Sequence, residues 1–366
     1  MYLPIAEAIS RGWPTGSAPG RPVAVRLGPT DRSLSDDRIL ANAYASAFKE
    51  ATTWLKRIRG SWLTDANQEA IMQELHATMA AAVFTSNTVA RAGLNWELTQ
   101  ALCRKVWADS DDTSRVITTL SDEAIKGVLM ELSQLQPSIM PMSVADALRA
   151  RNEVVQHAKA YQHILHEFVV NKKDLSEELI KETHRILTLG VPIVEEGRMD
   201  IPPEAYGGIY RTVIGRNINY PVPEVVPAHM QYLCEELKRE ISAAEQGGWV
   251  DPFSLATRYA LEFVSIIPFE DGNGRMCCMI LNAIVCRYVG ILVHFGDGEG
   301  EWSGYAEMNL HSDLGMTGAE EYALLLLQRS VSHLKALKKK LKGKGDSKLA
   351  AVTIKTREGD VVALDV

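Results

Sequence analysis

One short run of residues in the sequence combines glycines with a carboxylate, an amide and a guanidinium. It reads Phe269-Glu270-Asp271-Gly272-Asn273-Gly274-Arg275 and lies between two apolar segments. Glycines at such a turn let backbone amides approach a ligand without interference from a Cβ atom. At the start of a helix, these amides and the helix dipole together bind anions. The run therefore predicts a phosphate-binding loop that leads into a helix.

Three side chains of this run have suitable chemistry for a phosphorylated ligand. Arg275 can form two parallel hydrogen bonds to a phosphate, and Asn273 can donate an amide hydrogen to it. Asp271 offers the hard oxygen ligand that magnesium prefers. A purely structural interpretation also exists, because glycines suit any tight turn and Asp271 with Arg275 has the spacing of a helical surface ion pair. The complete run between two apolar segments favours phosphate and magnesium binding.

The run resembles the signature of the Fic (Fido) family, His-Pro-Phe-x-[Asp/Glu]-Gly-Asn-Gly-Arg-x-x-Arg. Residues 152–158 and 175–180 resemble the helices that open the core domain of that family. Gly208-Ile209-Tyr210-Arg211 and the residues after it resemble its flap. The resemblance implies a mainly α-helical bundle with a small β-hairpin flap. It also implies transfer of AMP from ATP and magnesium to a target hydroxyl.

The resemblance assigns roles to individual residues. Phe269 anchors the loop in the core and Asp271 binds magnesium. The phosphates are bound by four residues, Gly272, Asn273, Gly274 and Arg275. The implied flap, which holds a protein target by main-chain pairing, comprises Tyr210, Arg211, Thr212, Val213 and Ile214. ATP and magnesium are thus the expected cofactors, and a nucleotide and a protein target are the expected partners.

Three positions depart from the family pattern. Ile267 stands where the signature has its histidine, the general base, and Cys278 stands where it has its second arginine. Ser86-Asn87-Thr88-Val89-Ala90 resembles the inhibitory helix of the family, with Ala90 in place of its glutamate. Loss of a positioned base lowers a rate by about 10²- to 10⁴-fold. We therefore expect a nucleotide-binding protein with weak or no AMP transfer.

Other interpretations stay open at the level of sequence. The pocket could serve a different phosphorylated or small-molecule substrate, because the loop, the flap and the core helices are retained. Alternatively, the chain is an engineered inactive form of a protein adenylyltransferase, since changes at the base and the inhibitory glutamate would trap a complex. His184 lies in a segment that could flank the site, but sequence does not place its ring.

The elements that must position the loop are predicted to be helices. Apolar residues recur every three to four positions from residue 36 onward, and they form a core-facing stripe over 143–169. A second helix is predicted over 64–89, and 252–266 is apolar on more than one face, as expected for a helix in the core. Asn95 and Ser176 are suited to cap further helices. Two strands, 210–214 and 217–220, are predicted to form the flap with its bend at Gly215.

These patterns divide the chain into four parts. They are an extended arm (1–35), an N-terminal helical region with the degenerate inhibitory helix (36–144), the core domain (145–333), and a basic linker with a terminal β-hairpin (334–366). The N-terminal helices and the terminal hairpin are candidate interfaces of a homodimer, and the oligomeric state stays open.

Composition excludes several classes of protein. The formal net charge of -7 over 366 residues argues against a nucleic-acid binder, which needs a basic surface. Five cysteines, two of them adjacent, do not match the disulfide framework of a secreted protein. No run of about 20 apolar residues is present to span a membrane. We therefore expect a cytoplasmic protein without a membrane partner.

Overall fold

The computed structural model describes six long parts of the chain: residues 38–59, 65–108, 143–194, 199–213, 220–294 and 319–341. It also describes the segments 17–18, 21–22 and 26–27 and the single residues 127, 130 and 197. Within these parts the chain is almost entirely helical. The mainly α-helical fold expected from the sequence is therefore confirmed.

Three long helices of the described parts precede the predicted core domain. They are α1 (Arg38–Arg59), α2 (Asp65–Val89) and α3 (Trp96–Trp107). The predicted cap of α3 is present, because the Asn95 side chain accepts a hydrogen bond of 3.0 Å from the Leu98 amide. This bond satisfies one of the amides that the first turn of any helix leaves without a partner.

The next two helices form one side of the core. α4 (Val144–Leu165) continues as a π-helical turn (His166–Val170), and α5 (Glu177–Thr188) packs back against it. Ser176 caps α5 as predicted, since its hydroxyl accepts a hydrogen bond of 3.3 Å from the Leu179 amide. α4 is buried on most of its surface because it lies between α3, α5 and the central helix α9.

Three more helices lead to the loop. They are α6 (Pro203–Tyr206), α7 (Val226–Gly247), preceded by a 3₁₀ turn (Pro223–Val225), and α8 (Pro252–Ile266). The buried Asp251 caps α8, and its Oδ1 accepts hydrogen bonds of 3.1 Å from the amides of Phe253 and Ser254. The Tyr44 hydroxyl of α1 donates to the same carboxylate at 2.8 Å, which joins α1 to the start of α8.

The centre of the molecule is α9 (Asn273–Val289), and α10 (Ala319–Lys340) packs on α1 and α8. Nearly every residue of α9 from Arg275 onward is buried. A helix that is apolar on all faces must be surrounded by others, and α9 packs against α8 and α4. The loop that begins this helix is therefore held on a rigid core element.

The described strands are short. β1 (Ser17–Ala18) pairs antiparallel with β2 (Arg21–Pro22), and β3 (Arg26–Leu27) pairs in parallel with β4 (Trp249–Val250). Three of these strands lie within the predicted extended arm. The rest of that arm, the basic linker beyond residue 341 and the predicted terminal hairpin lie outside the described residues.

The predicted flap is described only in part. Of its first predicted strand, Tyr210 forms an isolated antiparallel bridge with Phe269 of the loop. Residues 211–213 of that strand are described without strand structure, and residues 214–219 lie outside the described residues. No helix in the described part of the chain has the length and hydrophobicity needed to cross a membrane.

Candidate functional site

The loop between α8 and α9 contains two residues in the left-handed backbone conformation. Gly272 has a φ of 79° and forms the N-cap of α9. A Cβ atom there would lie 3.2 Å from both His184 Nε2 and Leu187 Cδ2, so both the backbone and the space require glycine. Ile267, the C-cap of α8, has a φ of 46° and a ψ of 64°. A β-branched residue rarely adopts this conformation, whereas histidine and asparagine are enriched in it.

Asn273 closes the loop through its side chain. Its Oδ1 accepts a hydrogen bond of 3.0 Å from the Phe269 amide, and its Nδ2 donates to the Phe269 carbonyl at 2.7 Å. The Phe269 ring is completely buried, as its expected role of anchor requires. The Asn273 side chain therefore shapes the loop, and its second Nδ2 hydrogen is still available for the expected phosphate contact. A phosphate contact by the main-chain amide of Asn273 stays a prediction.

His184 of α5 supports the loop from behind. Its ring stacks on Phe269 with 3.7 Å between the ring centroids and 3° between the planes. The Gly208 amide donates to Nδ1 at 2.9 Å, so Nε2 carries the proton and donates to the Asp271 carbonyl, also at 2.9 Å. Burial lowers the pKa of His184 to about 4, which keeps the ring neutral at physiological pH.

Arg275 lies in the first turn of α9 and is buried, with a side-chain exposure of 3% against 46% for Asp271. Its Nη2 donates to Asp271 Oδ2 at 2.8 Å, while its Nε and Nη1 are buried without a hydrogen-bond partner. Burial raises the pKa of the Asp271 carboxyl, but the Arg275 charge and the Gly272 amide outweigh this effect and lower it. Asp271 is therefore an anion at neutral pH.

The loop faces a cavity of about 350 Å³. One side, here named the loop wall, consists of Glu270, Asp271, Gly272, Asn273, Gly274 and Arg275. The other lining residues, here named the helix wall, are Ser86, Val89 and Ala90 at the end of α2 with Val264 and Ile267, and Tyr220 also lines the cavity. The structure thus brings Ala90 and Ile267 together at one cavity with the predicted phosphate loop.

Cys278 does not line this cavity. It is buried among Val89, Leu261, Tyr322 and Leu325, one turn beyond Arg275 in α9. A separate small cavity of about 10 Å³ touches it, and this cavity shares Ser86 and Val89 with the larger one. The thiol therefore fills space between α2 and α10 near the loop.

The loop wall presents free backbone donors to the cavity. The first main-chain hydrogen bond of α9 runs from the Met276 amide to the Gly272 carbonyl at 2.9 Å. The amides of Asn273, Gly274 and Arg275 therefore have no acceptor within the helix. Together with the Arg275 guanidinium and the helix dipole, they form a place for an anionic group.

The side chains of the expected flap residues differ in direction and burial. Arg211 is buried, and its Nε donates to the Ile267 carbonyl at 2.6 Å and its Nη1 to the Val213 carbonyl at 3.0 Å. Its Nη2 donates to the Pro221 carbonyl. Arg211 therefore ties both ends of segment 213–221 to Ile267. The Arg211 side chain therefore supports this segment, and the main-chain pairing of a target expected of the flap residues stays a prediction.

Tyr210 is also directed toward the protein. Its hydroxyl donates to Glu177 Oε2 at 2.6 Å, and Lys181 lies 4.0 Å above its ring. By contrast, Val213 is more than half exposed. Thr212 is exposed as well, and Ile214 lies outside the described residues.

Magnesium would have a single protein ligand at this site. No group of three or more histidine, cysteine or acidic side chains suited to a metal occurs in the described parts of the chain. Magnesium is commonly held by one or two carboxylates together with phosphates and water. The half-exposed carboxylate of Asp271 beside a phosphate-binding loop fits that mode of binding.

Sequence reasoning missed the residues that hold the loop in shape. His184 lies 87 positions before Asp271 in the chain, and nothing in its local pattern connects the two. For Asn273, the position of an asparagine directly after a tight turn could have predicted its loop-closing role, since asparagine side chains often bond to nearby backbone groups.

Comparison with known proteins gives consistent results. Residues 174–285 match the model of the Fic/DOC family, and no curated protein sequence matches the chain. A Fic domain containing signaling protein from Bacteroides thetaiotaomicron is similar in structure, with a TM-score of 0.55 and 15% sequence identity, over 82% of this chain and 99% of that one. Residues 134–508 of Fic-1 from C. elegans give a TM-score of 0.51 and 17% identity, over 82% and 72% of the two chains.

Proposed function

Because residues 174–285 form a Fic/DOC domain, we propose that this protein binds a nucleotide with magnesium and has weak or no AMP-transfer activity. The nucleotide lies in the cavity between the loop wall and the helix wall, with its phosphates at the start of α9. ATP is the first nucleotide to test, because AMP transfer from ATP is the reaction that the resemblance implies.

The observation that carries the binding proposal is the unsatisfied donor capacity of the loop wall. A buried guanidinium normally has its donors paired, yet two nitrogens of Arg275 have no partner. Three backbone amides at the start of α9 also lack an acceptor within the helix. An anionic phosphate at the cavity supplies acceptors for such donors, and Asp271 supplies the oxygen ligand for the magnesium that accompanies it. Bound magnesium would neutralise phosphate charge.

The proposal of weak or absent transfer rests on Ile267 and on His184. The Ile267 side chain cannot accept a proton, and it lines the cavity where the family signature has its base. His184 does not replace it, because the ring is completely buried and both ring nitrogens are already hydrogen-bonded. A pKa of about 4 also makes His184 a weak base.

Binding is tested by calorimetric titration of the whole chain with ATP and magnesium. We expect saturable binding that Arg275→Ala weakens by about 10- to 100-fold, because a hydrogen bond to a charged group contributes about 1.5–3 kcal/mol. Arg287→Ala is the matched control, since Arg287 lies in the same helix with a side-chain exposure of 7% and pairs with Glu245. Absence of binding by the unmodified chain, or equal loss in both variants, would contradict the proposal.

Transfer is tested with ATP labelled in the α-phosphate. We expect no label on the unmodified chain and measurable self-labelling by Ile267→His, since the backbone at residue 267 already has a conformation in which histidine is common. Restoring a positioned base should raise the rate by about 10²- to 10⁴-fold. Self-labelling of the unmodified chain at the rate of the variant would show that another group acts as base.

A further inference from the structure

Arg275 has a second set of neighbours on α4. The buried Tyr161 accepts a hydrogen bond of 3.3 Å from Asn282 of α9, which fixes the register of the two helices. His157 lies one turn before Tyr161 and stacks on it with 5.3 Å between ring centroids. Arg275 lies two turns before Asn282. The two helices run in the same direction, because Arg287 near the end of α9 donates to the Phe168 carbonyl beyond Tyr161 at 3.2 Å. His157 therefore lies toward the start of α9, within about one helical turn of Arg275 along the helix axis.

His157 is unusual among the described residues lying near the cavity. Its ring has no solvent exposure, and its Nε2 is buried without a hydrogen-bond partner. Its Nδ1 lies 3.0 Å from Oδ1 of the buried Asn87. Because an amide oxygen only accepts hydrogen bonds, Nδ1 must carry the proton and the Nε2 lone pair is left free to accept. Burial and the nearby Arg275 charge both lower the pKa of His157, so the ring stays neutral.

The chemistry of the two groups is complementary. Arg275 has unpaired donors at Nε and Nη1, and His157 has an unpaired acceptor at Nε2. Asn87 connects this pair to the helix wall, because it lies between Ser86 and Val89, which both line the cavity. A series of polar side chains therefore leads from the end of α2 through Asn87 and His157 toward Arg275.

We propose that His157 is a positioning residue for Arg275, and that the Asn87–His157 pair couples the helix wall of the cavity to its loop wall. One of the two unpaired Arg275 nitrogens donates to the His157 Nε2 across a bridging water, which holds the guanidinium toward the loop and leaves the other nitrogen for a phosphate. A ligand that shifts the end of α2 then changes the position of Arg275. The consequence for ligand binding rests on the proposed nucleotide function, but the coupling itself does not.

The coupling is tested without any ligand by nitrogen-15 magnetic resonance of the whole chain. We expect His157 to be protonated on Nδ1 and unprotonated on Nε2 at pH 7. The Arg275 Nε–H signal, assigned with Arg275→Lys, should shift and exchange faster in Asn87→Ala, although Asn87 forms no hydrogen bond with the Arg275 side chain in the described structure. His163→Gln is the control, because His163 lies in the same helix and has a buried Nε2 without a partner. An Arg275 signal unchanged in Asn87→Ala, or a proton on His157 Nε2, would overturn the proposal.

The role in binding is tested by titration with ATP and magnesium. His157→Leu should weaken binding by about tenfold, because it removes the acceptor for a charged donor. His157→Gln should stay within about threefold of the unmodified chain, since its side chain retains an acceptor and a donor. Equal affinity of the two variants would reject the positioning role. If the unmodified chain binds no nucleotide, the proposed function fails, and the ligand-free spectra still decide the coupling.

Discussion

The two walls of the cavity differ in what holds them in place. The loop wall is fixed by polar contacts, because Asn273 bonds to Phe269 twice and His184 bonds to the Asp271 carbonyl. The helix wall consists largely of apolar side chains at the end of α2 and of α8. Ala90 and Ile267, two of the three departures from the family pattern, lie on the helix wall.

This difference indicates which part of the site is still constrained. Asp271, Gly272 and Asn273 of the loop wall contact His184 or Phe269, so a substitution at one of them disturbs buried contacts of the core. Substitutions on the helix wall replace one cavity-facing side chain and leave the backbone unchanged. The proposed nucleotide binding therefore depends mainly on the loop wall, and the proposed loss of AMP transfer depends on the helix wall.

The largest difference between the two walls is expected when the buried ring that anchors the loop wall is removed. Phe269→Ala should lower the free energy of unfolding by about 3–5 kcal/mol, as is usual for a large buried aromatic ring, and should abolish nucleotide binding. Val264→Ala on the helix wall should lower it by only about 1–2 kcal/mol and preserve binding. Denaturant unfolding of both variants measures the stability change, and titration with ATP and magnesium measures binding. Equal losses of stability and binding in the two variants would contradict the difference between the walls.

A smaller effect is expected from pH, through His184. Its pKa is about 6.5 in an unfolded chain and about 4 in the folded protein. Between these values only the unfolded chain binds the proton, so the stabilisation is complete above about pH 6.5 and falls as the pH drops toward 4. From pH 7 to pH 5, His184→Gln should lose about 2 kcal/mol less stability than the unmodified chain.

The control for this measurement is Gln231→Asn, which alters an exposed side chain without an ionisable group. It should show the same pH dependence as the unmodified chain between pH 7 and pH 5. If His184→Gln did the same, protonation of His184 would not limit the stability of the loop wall.

The smallest effect is expected from a charge placed on the helix wall. Ala90→Glu should weaken binding of ATP and magnesium by about tenfold at low salt, because its carboxylate faces the phosphates across the cavity. Stability should hardly change, since Ala90 is exposed. Ala243→Glu, at an exposed position of α7, is the control. An equal effect of both substitutions, or no salt dependence for Ala90→Glu, would contradict this account.

Much of the fold was predictable because it depends on local signals. Asn95 and Ser176 cap α3 and α5 as their types predict, and the apolar pattern from Pro252 to Ile266 matches α8. The loop between two buried helices was also predictable, because its glycines, asparagine and charged residues are adjacent in sequence. The supporting role of Arg211 was not predictable, because its hydrogen-bond partners lie as far as 56 positions away in the sequence.

The sequence by itself determined the helical fold, the position of the proposed phosphate loop and the absence of a histidine at residue 267, since each depends on residue type and short-range spacing. Only the tertiary structure decided that Ala90 lies on the same cavity, that Arg211 supports the flap, and that His184 and His157 lie behind the loop. Side chains far apart in the chain meet only when helices pack, and the register of that packing decides which buried donors find acceptors. That register is a property of the folded core as a whole.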